Sequence, residues 1–364
     1  MNEEMAISDL FKSYMYVENT YKGGRSAPPG VKSYKLSSNE NALGTSPKVK
    51  DVLNGIVDYH IYPDNTDEAL RLALHKHHKG RISAEQFICG NSGSEVIEMA
   101  IRAFINLGDE VILSSPCFLP YHTFSQRAGA KVIDIPLIGK TYDLDVQSML
   151  EAITTKTRII FLTSPNNPTG TYIPQEQIKT LLSQIPKSVL IIFDEVYYQY
   201  ADAEDFSTAI PYVEEGHNIL AINSFSKAYG MAGLRLGYGY TTSEIAKYLR
   251  LFQRPFLINK LSLQAGIAAL SDEQFIQKTI QNNFEQKQLL ENAFQKLGLD
   301  YIPSQGNFHL VQPPMPSDQF VDLLFDRRVM VRDVSNFGAH GRVRITIGTP
   351  DGNKALISAL EEIL

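Results

Sequence analysis

Seven short apolar runs recur along residues 87–242: QFIC, EVILSSP, KVIDIPL, TRIIFLTSP, SVLIIFDEVY, NILAINSFS and LRLGYGYTT. Several are apolar at successive positions rather than alternate ones, which predicts strands covered on both faces. Amphipathic helical stretches such as SEVIEMAIRAFINLG lie between them. This alternation predicts an α/β fold built on a doubly wound, mostly parallel seven-stranded sheet. Beyond about Phe256 the pattern changes to long helical periods, notably DEQFIQKTIQNNFEQKQLLENAFQKLG, followed by short strands around FHLVQ, VMVRDV and RVRITIG. The expected organisation is an N-terminal arm over 1–40 that contributes part of a small domain, a large domain over 41–256, and a small α+β domain over 257–364. No internal repeat or low-complexity linker interrupts it.

Length and composition agree with two unequal domains. At 364 residues the chain exceeds what one hydrophobic core comfortably holds. Its 43% hydrophobic and 20% charged residues are near ordinary averages, against disorder, a collagen-like repeat or a disulfide scaffold. No apolar run reaches membrane-spanning length, and the start MNEEMAISDLFKSYMY carries acids where a secretory signal would carry a basic region, so the expectation is cytoplasmic. Cys89 and Cys117 sit in buried-looking runs and read as structural. A net charge of −6 with scattered basic residues argues against nucleic acid as a partner. The cluster HKHHKGR over 75–81 reads as the solvated end of a helix, and no cysteine or carboxylate spacing makes a metal site of it.

In open α/β sheets ligands gather at the carboxyl ends of the strands, so the residues just after each run carry the functional question. After TRIIFLT comes SPNNPTG, where Asn167 offers an amide between Pro165 and Pro168. After SVLIIF comes Asp194, whose charge at a strand end implies a cationic partner, a helix cap or an internal salt bridge. Tyr197 follows. After NILAINSFS comes Lys227, in NSFSKAYGMAGLRLG. A desolvated lysine has a depressed pKa and becomes a nucleophile toward carbonyls. A Schiff-base lysine beside a buried aspartate suits pyridoxal 5′-phosphate, whose ring nitrogen needs an acidic partner. Ser224, Ser226, Arg235 and the segment GNSGSE ahead of a helix supply what a phosphate needs. The glycines of the lysine segment would let backbone pass close to such a ligand.

SSNENALGTSP, YPDNTDEALRLAL, GNSGSEVIEMAIRAF, SPNNPTG, FDEVYYQY, SFSKAYGMAGLRLGYG and VRITIGTPD follow one another over nearly the whole chain. In that order they resemble the fold type I pyridoxal-phosphate aminotransferases, most closely the histidinol-phosphate aminotransferase family. The resemblance implies that Lys227 carries the cofactor and then shuttles the substrate's proton, that Asp194 pairs with the pyridine nitrogen, and that Asn167 and Tyr197 bond its phenolic oxygen. It implies that Phe118, where the family often has a tyrosine, stacks on the ring. Gly93 and Ser94, with Glu95 behind them, would hold the phosphate with Ser224, Ser226 and Arg235. Tyr62 would reach that phosphate from a second copy, making the active unit a homodimer. Arg344 and Arg332 would bind the phosphate of histidinol phosphate, and Arg344 the α-carboxylate of glutamate. Tyr21 resembles an arm tyrosine that contacts substrate across the dimer, and Asn39 falls on the substrate side. Ala42 and Ser94 replace a family proline and aspartate, departures that bear on substrate rather than cofactor.

Other readings compete less well. A Rossmann reading of Gly230 to Gly239 lacks the first strand-turn-helix unit and its distal acid, and no GK[ST] follows a glycine run. A cofactor-binding sensor fused to a DNA-binding domain needs a basic N-terminal extension, and only about 35 residues precede SSNEN. Within enzymes, an aromatic aminotransferase and a phospho-amino-acid decarboxylase share the same first steps, because which bond breaks depends on substrate pose. The expected reaction is amino transfer between a small-molecule donor, L-histidinol phosphate, and the 2-oxo acid 2-oxoglutarate.

Overall fold

The computed structural model describes residues 7–17, 23–25, 27 and 30–364. Each apolar run becomes a strand: β1 Phe87–Gly90, β2 Glu110–Ser115, β3 Lys131–Pro136, β4 Thr157–Thr163, β5 Leu190–Asp194, β6 Ile219–Ser224 and β7 Gly237–Tyr240. They form one seven-stranded sheet in the order β1-β7-β6-β5-β4-β2-β3, in which only β7 runs against its neighbours. The continuous apolarity of the strands has a direct structural cause. Ile112, Ile160, Ile191 and Ala221 enter the core on one face, while Val111, Ile159, Ile192 and Leu220 enter the core on the other. Period-two alternation is present, but both sets are buried, so the sequence shows no polar face.

Helices cover both faces: α1 Glu68–His77, α2 Gly93–Phe104, α3 Pro120–Arg127 and α4 Lys260–Leu270. Helix α4 lies beyond the boundary expected after Phe256, yet its Ala265, Ala269 and Leu270 belong to the large core, and it packs on α1 and on the helix Pro47–Asn54. The change of texture marks the end of the sheet rather than the end of its core. A smaller unit follows, with α5 Glu273–Lys296 against an antiparallel sheet of β8 Asp300–Ile302, β9 Phe308–Gln312, β10 Arg332–Asp333 and β11 Val343–Thr346, ordered β10-β11-β9-β8. Its core gathers Leu290, Phe294, Val311, Phe320, Val343 and Ile345, joined by Leu36 from the N-terminal segment, where Tyr34–Lys35 pairs with Val329–Met330.

The end of α1 departs from the expectation of a solvated basic cluster. His78 is buried with Nε2 3.2 Å from the Tyr238 hydroxyl, and burial pushes its pKa down to about 3. His77 Nε2 lies 3.1 Å from the Tyr229 hydroxyl, and burial lowers its pKa as well. Cys89 and Cys117 are buried free thiols. No helix among the described residues is long and apolar enough to cross a membrane. Among the same residues no group of three or more His, Cys, Asp and Glu side chains is arranged to hold a metal ion.

Candidate active site

Six strands of the large sheet end at one edge, and the reversed strand β7 begins there. Residues distant in sequence therefore converge on a cavity of about 620 Å³, a size typical of small-molecule sites. Asp194 and Tyr197 reach it from the end of β5, Asn167 from the loop after β4, Phe118 from the loop after β2, and Lys227 from the turn after β6. Arg344, on β11 of the small unit, closes the other side.

Asp194 is buried, and removal from water raises its pKa to about 6 despite hydrogen bonds donated by the Tyr121 hydroxyl and the Val196 amide. A cation placed against it would restore the charged form. Lys227 Nζ donates to the carbonyl of Ser38 at 3.3 Å and lies 5.6 Å from the centre of the Tyr197 ring. The Tyr197 hydroxyl accepts from Asn39 Nδ2 at 3.0 Å, so its own proton can be donated into the cavity. Burial raises the Tyr197 pKa, with Arg344 pulling the other way. Asn39 occupies left-handed backbone space (φ 55°), which its short polar side chain tolerates. It is pinned there by Thr346, whose Oγ accepts from the Asn39 amide and donates to Asn39 Oδ1. Asn167 Oδ1 accepts from Arg344 Nη1 at 2.5 Å, which leaves the Asn167 amide group to donate.

An anion cradle forms where α2 begins. Ser92 caps the helix, its Oγ accepting from the Glu95 amide, and Gly93 and Ser94 occupy the first turn, whose amides have no intrahelical acceptor. Ser224, Ser226 and Arg235 line the same side of the cavity. Arg235 also sits in left-handed space (φ 55°), a strained conformation for a long side chain and one that concentrates at functional sites. Two glycines of the lysine segment let backbone approach backbone. A Cβ on Gly237 would meet the Gly93 amide nitrogen at 2.1 Å, and one on Gly230 would meet the Gly44 carbonyl at 1.8 Å. The Gly237 contact lies at the cradle itself, against the first turn of α2.

Four expected site residues are not in the cavity wall: Asn39, buried behind Tyr197, together with Glu95, Arg332 and Tyr62. The Glu95 carboxylate folds back to accept from the Asn91 amide at 2.6 Å and pairs with Arg254 at 2.8 Å, so it serves the helix start. Arg332 is the register partner of Arg344 on β10, one strand, or about 5 Å, further out. Its guanidinium lies over the Phe337 ring at 5.6 Å. Tyr62 is 76% exposed and stacked on Phe256, on the surface of this chain. Tyr21 lies outside the described residues.

Two buried groups escaped the sequence reading. Tyr121, one helical turn after Phe118, holds Asp194 through its hydroxyl and stacks on Phe161. Glu195 points to the opposite face of the sheet from Asp194, where it accepts from Asn223 Nδ2, the Tyr240 hydroxyl and the Ala209 amide. Burial raises its pKa to about 7.

Comparison with known proteins agrees with this geometry. Residues 31–360 match the family model described as aminotransferase class I and II. The chain is 36% identical over 330 residues to histidinol-phosphate aminotransferase 1 of Idiomarina loihiensis, covering 90% of this chain and 89% of that one. It is 38% identical over 338 residues to the histidinol-phosphate aminotransferase of Moorella thermoacetica, covering 92% and 86%. The crystal structure of histidinol-phosphate aminotransferase from Sinorhizobium meliloti in complex with pyridoxal-5′-phosphate superposes with a TM-score of 0.81, covering 91% and 90% at 22% identity, a likeness of fold.

Proposed function

The chain belongs to the class I and II aminotransferases, within the histidinol-phosphate aminotransferase family, and we propose that it transfers the amino group of L-histidinol phosphate to 2-oxoglutarate. The products are imidazole acetol phosphate and L-glutamate, a step of histidine biosynthesis, and the relatives' names support that substrate. The observation that carries the proposal is the convergence of Lys227, Asp194, Asn167, Tyr197 and the α2 start on one cavity.

The donor set fits pyridoxal 5′-phosphate. A buried carboxylate that lacks a full counter-charge stands at one end, free helix-start amides with hydroxyls and a guanidinium stand at the other, and an amine lies between. When bound, the cofactor supplies the carbonyl carbon that receives the amino group and a ring that draws electrons from the donor's α-carbon. Asp194 would keep the ring nitrogen protonated, and Tyr121 holds that carboxylate in place. Asn167 Nδ2 and the Tyr197 hydroxyl would donate to the phenolic oxygen. Gly93, Ser94, Ser224, Ser226 and Arg235 would hold the phosphate, with Phe118 against the ring. Lys227 Nζ would be the anchoring amine and, once displaced, the base that moves a proton from the donor's α-carbon to the cofactor carbon that receives the amino group. Arg344, already aimed by Ser37 O and Asn167 Oδ1, would bind the donor's phosphate or glutamate's carboxylate. Arg332, behind it, would add positive charge.

The proposal includes a cytoplasmic homodimer in which Tyr62 and Tyr21 of one copy serve the other's site. Mixing two inactive variants, Lys227→Ala and Tyr62→Ala, should restore about a quarter of the activity if sites are shared, because half the chains in mixed dimers then carry both intact contributions. For the chemistry itself, Lys227→Ala should lose both the absorbance of the lysine-bound cofactor and turnover. Near-normal transamination by that variant would overturn the mechanism. Substrate choice is read from single turnovers with a panel of amino donors. A preference for phenylalanine or tyrosine over histidinol phosphate would remove the substrate assignment and leave the aminotransferase class standing.

A further inference from the structure

We propose that Glu40 is a specificity-determining residue whose carboxylate accepts a hydrogen bond from the ring N–H of an imidazole-bearing amino donor. The inference rests on the substrate reading above and extends it to the end of the donor that Arg344 does not hold.

An imidazole brings a ring N–H and, near neutral pH, a fraction of positive charge. Enclosing it without an acceptor loses affinity, and enclosing it among cations loses more. The described cavity lining is rich in cations: Arg127, Lys227, Arg235 and Arg344. Two carboxylates line it as well, Asp194 and Glu40. Asp194 is deep and occupied by the Tyr121 hydroxyl and the Val196 amide, at the end assigned to the cofactor nitrogen. Asn167 Oδ1 already accepts from Arg344. Glu40 is the carboxylate left to meet the donor.

Its backbone is held by the reacting groups themselves. Ser37 O accepts from Arg344 Nη2 at 2.9 Å, Ser38 O from Lys227 Nζ at 3.3 Å, and Asn39 is tied to Tyr197 and Thr346. Asn307 Nδ2 donates to Asn39 O at 3.2 Å and to Glu40 O at 3.5 Å, and Asn41 Nδ2 donates to Ala228 O at 2.8 Å. Two residues of chain span at most about 7 Å, so the Glu40 backbone stands no further than that from Ser38, whose carbonyl Lys227 touches. A donor ring reaching from Lys227 toward that side would meet Glu40, which lines the same cavity. The present partner of Glu40 is Lys35, at 2.7 Å, with both side chains about two-fifths exposed. Such a pair is weak and exchangeable, so a ring N–H can replace or share it without loss of a strong bond. Because the surrounding backbone is fixed, only the Glu40 side chain needs ordering on binding.

The test compares L-histidinol phosphate with O-phospho-L-phenylalaninol, which keeps the phosphate and amine but lacks a ring N–H, in the holoenzyme and in Glu40→Leu and Glu40→Gln. L-Glutamate, which has no ring, is the third donor. Glu40→Leu should lower single-turnover kcat/KM for histidinol phosphate at least about tenfold more than for the other two, the scale of a lost charge-assisted hydrogen bond. Glu40→Gln, which keeps an acceptor but not the charge, should fall between wild type and Glu40→Leu. Equal losses on all three donors, or no loss on histidinol phosphate, would overturn the role of Glu40 while wild type still prefers histidinol phosphate. A wild-type enzyme without that preference would overturn the substrate reading instead, a result read in the first column of the same experiment.

Discussion

Asp194 and Glu195 are sequence neighbours, both buried, and face opposite sides of the sheet with separate partners. The carboxylate that faces the cavity has little positive charge against it except Lys227, and its pKa rises to about 6. Between an ordinary 3.8 and 6 the folded chain holds a proton that the unfolded chain has released, so stability of the cofactor-free protein falls as pH rises through that window. Asp194→Asn should flatten this fall and stabilise the cofactor-free chain at pH 8 by about 1–3 kcal/mol, while weakening cofactor binding. Urea unfolding at pH 4.5 and pH 8 with a cofactor titration measures both effects. Asp194 was legible in the sequence because a charge at the end of an apolar strand demands an explanation. Tyr121 and Glu195 were not, because a tyrosine in the first turn of a helix and a second acid beside the first become informative only when their neighbours are known. Asn39 was legible only through its segment, since its partners Tyr197 and Thr346 lie far along the chain.

At the level of elements, the cradle depends on how β7 lies against the first turn of α2. Adding one methyl at Gly237 sets a carbon 2.1 Å from the Gly93 amide nitrogen, and backbone on both sides leaves no flexible side chain to yield. Gly237→Ala should cost about 1–3 kcal/mol, as overpacking does, and should raise the Kd for the cofactor at least about tenfold by turning the α2 amides. Ser92→Ala, which removes the cap without adding bulk, should cost about 1 kcal/mol and affect the cofactor less. Thermal unfolding with and without cofactor separates the two. The strands themselves were readable, since all seven apolar runs lie in the central sheet. Their order was not, because two-sided burial makes them chemically alike. Helix α4 was assigned to the wrong unit for a related reason. Its sequence KLSLQAGIAAL is small and apolar all round, which fits burial against any neighbour and names none.

The whole molecule joins its two units through an apolar cluster, Tyr197, Tyr200 and Ala228 against Phe308, and through polar contacts: Arg344 to Asn167, Lys287 to Asp202 at 2.9 Å, and the Gln305 amide to Gly170 O. Buried histidines in the cores add a second response to acid, of opposite sign to that of Asp194. Burial lowers the pKa of His78 to about 3 and of His309 to about 4, from an ordinary 6.5. The unfolded chain takes up these protons first, so the stability tied to keeping both rings neutral is complete above 6.5 and declines as pH falls through that value. His78→Gln should reduce the slope of Tm against pH between 6.5 and 4.5, and an unchanged slope would assign the acid sensitivity to other groups. The segment that touches Lys227, Tyr197 and Arg344 at once lies near the start of the chain, and Asn39 meets Thr346 across 307 positions. During synthesis at about 5–20 residues per second, the early half of that contact waits roughly 15–60 s for the late half. Until the last strand of the small unit has left the ribosome, the nascent sheet carries the lysine beside an unfinished wall. Nascent chains arrested before Val343 should therefore acquire the cofactor poorly even though Lys227, Asp194 and the α2 start are already made.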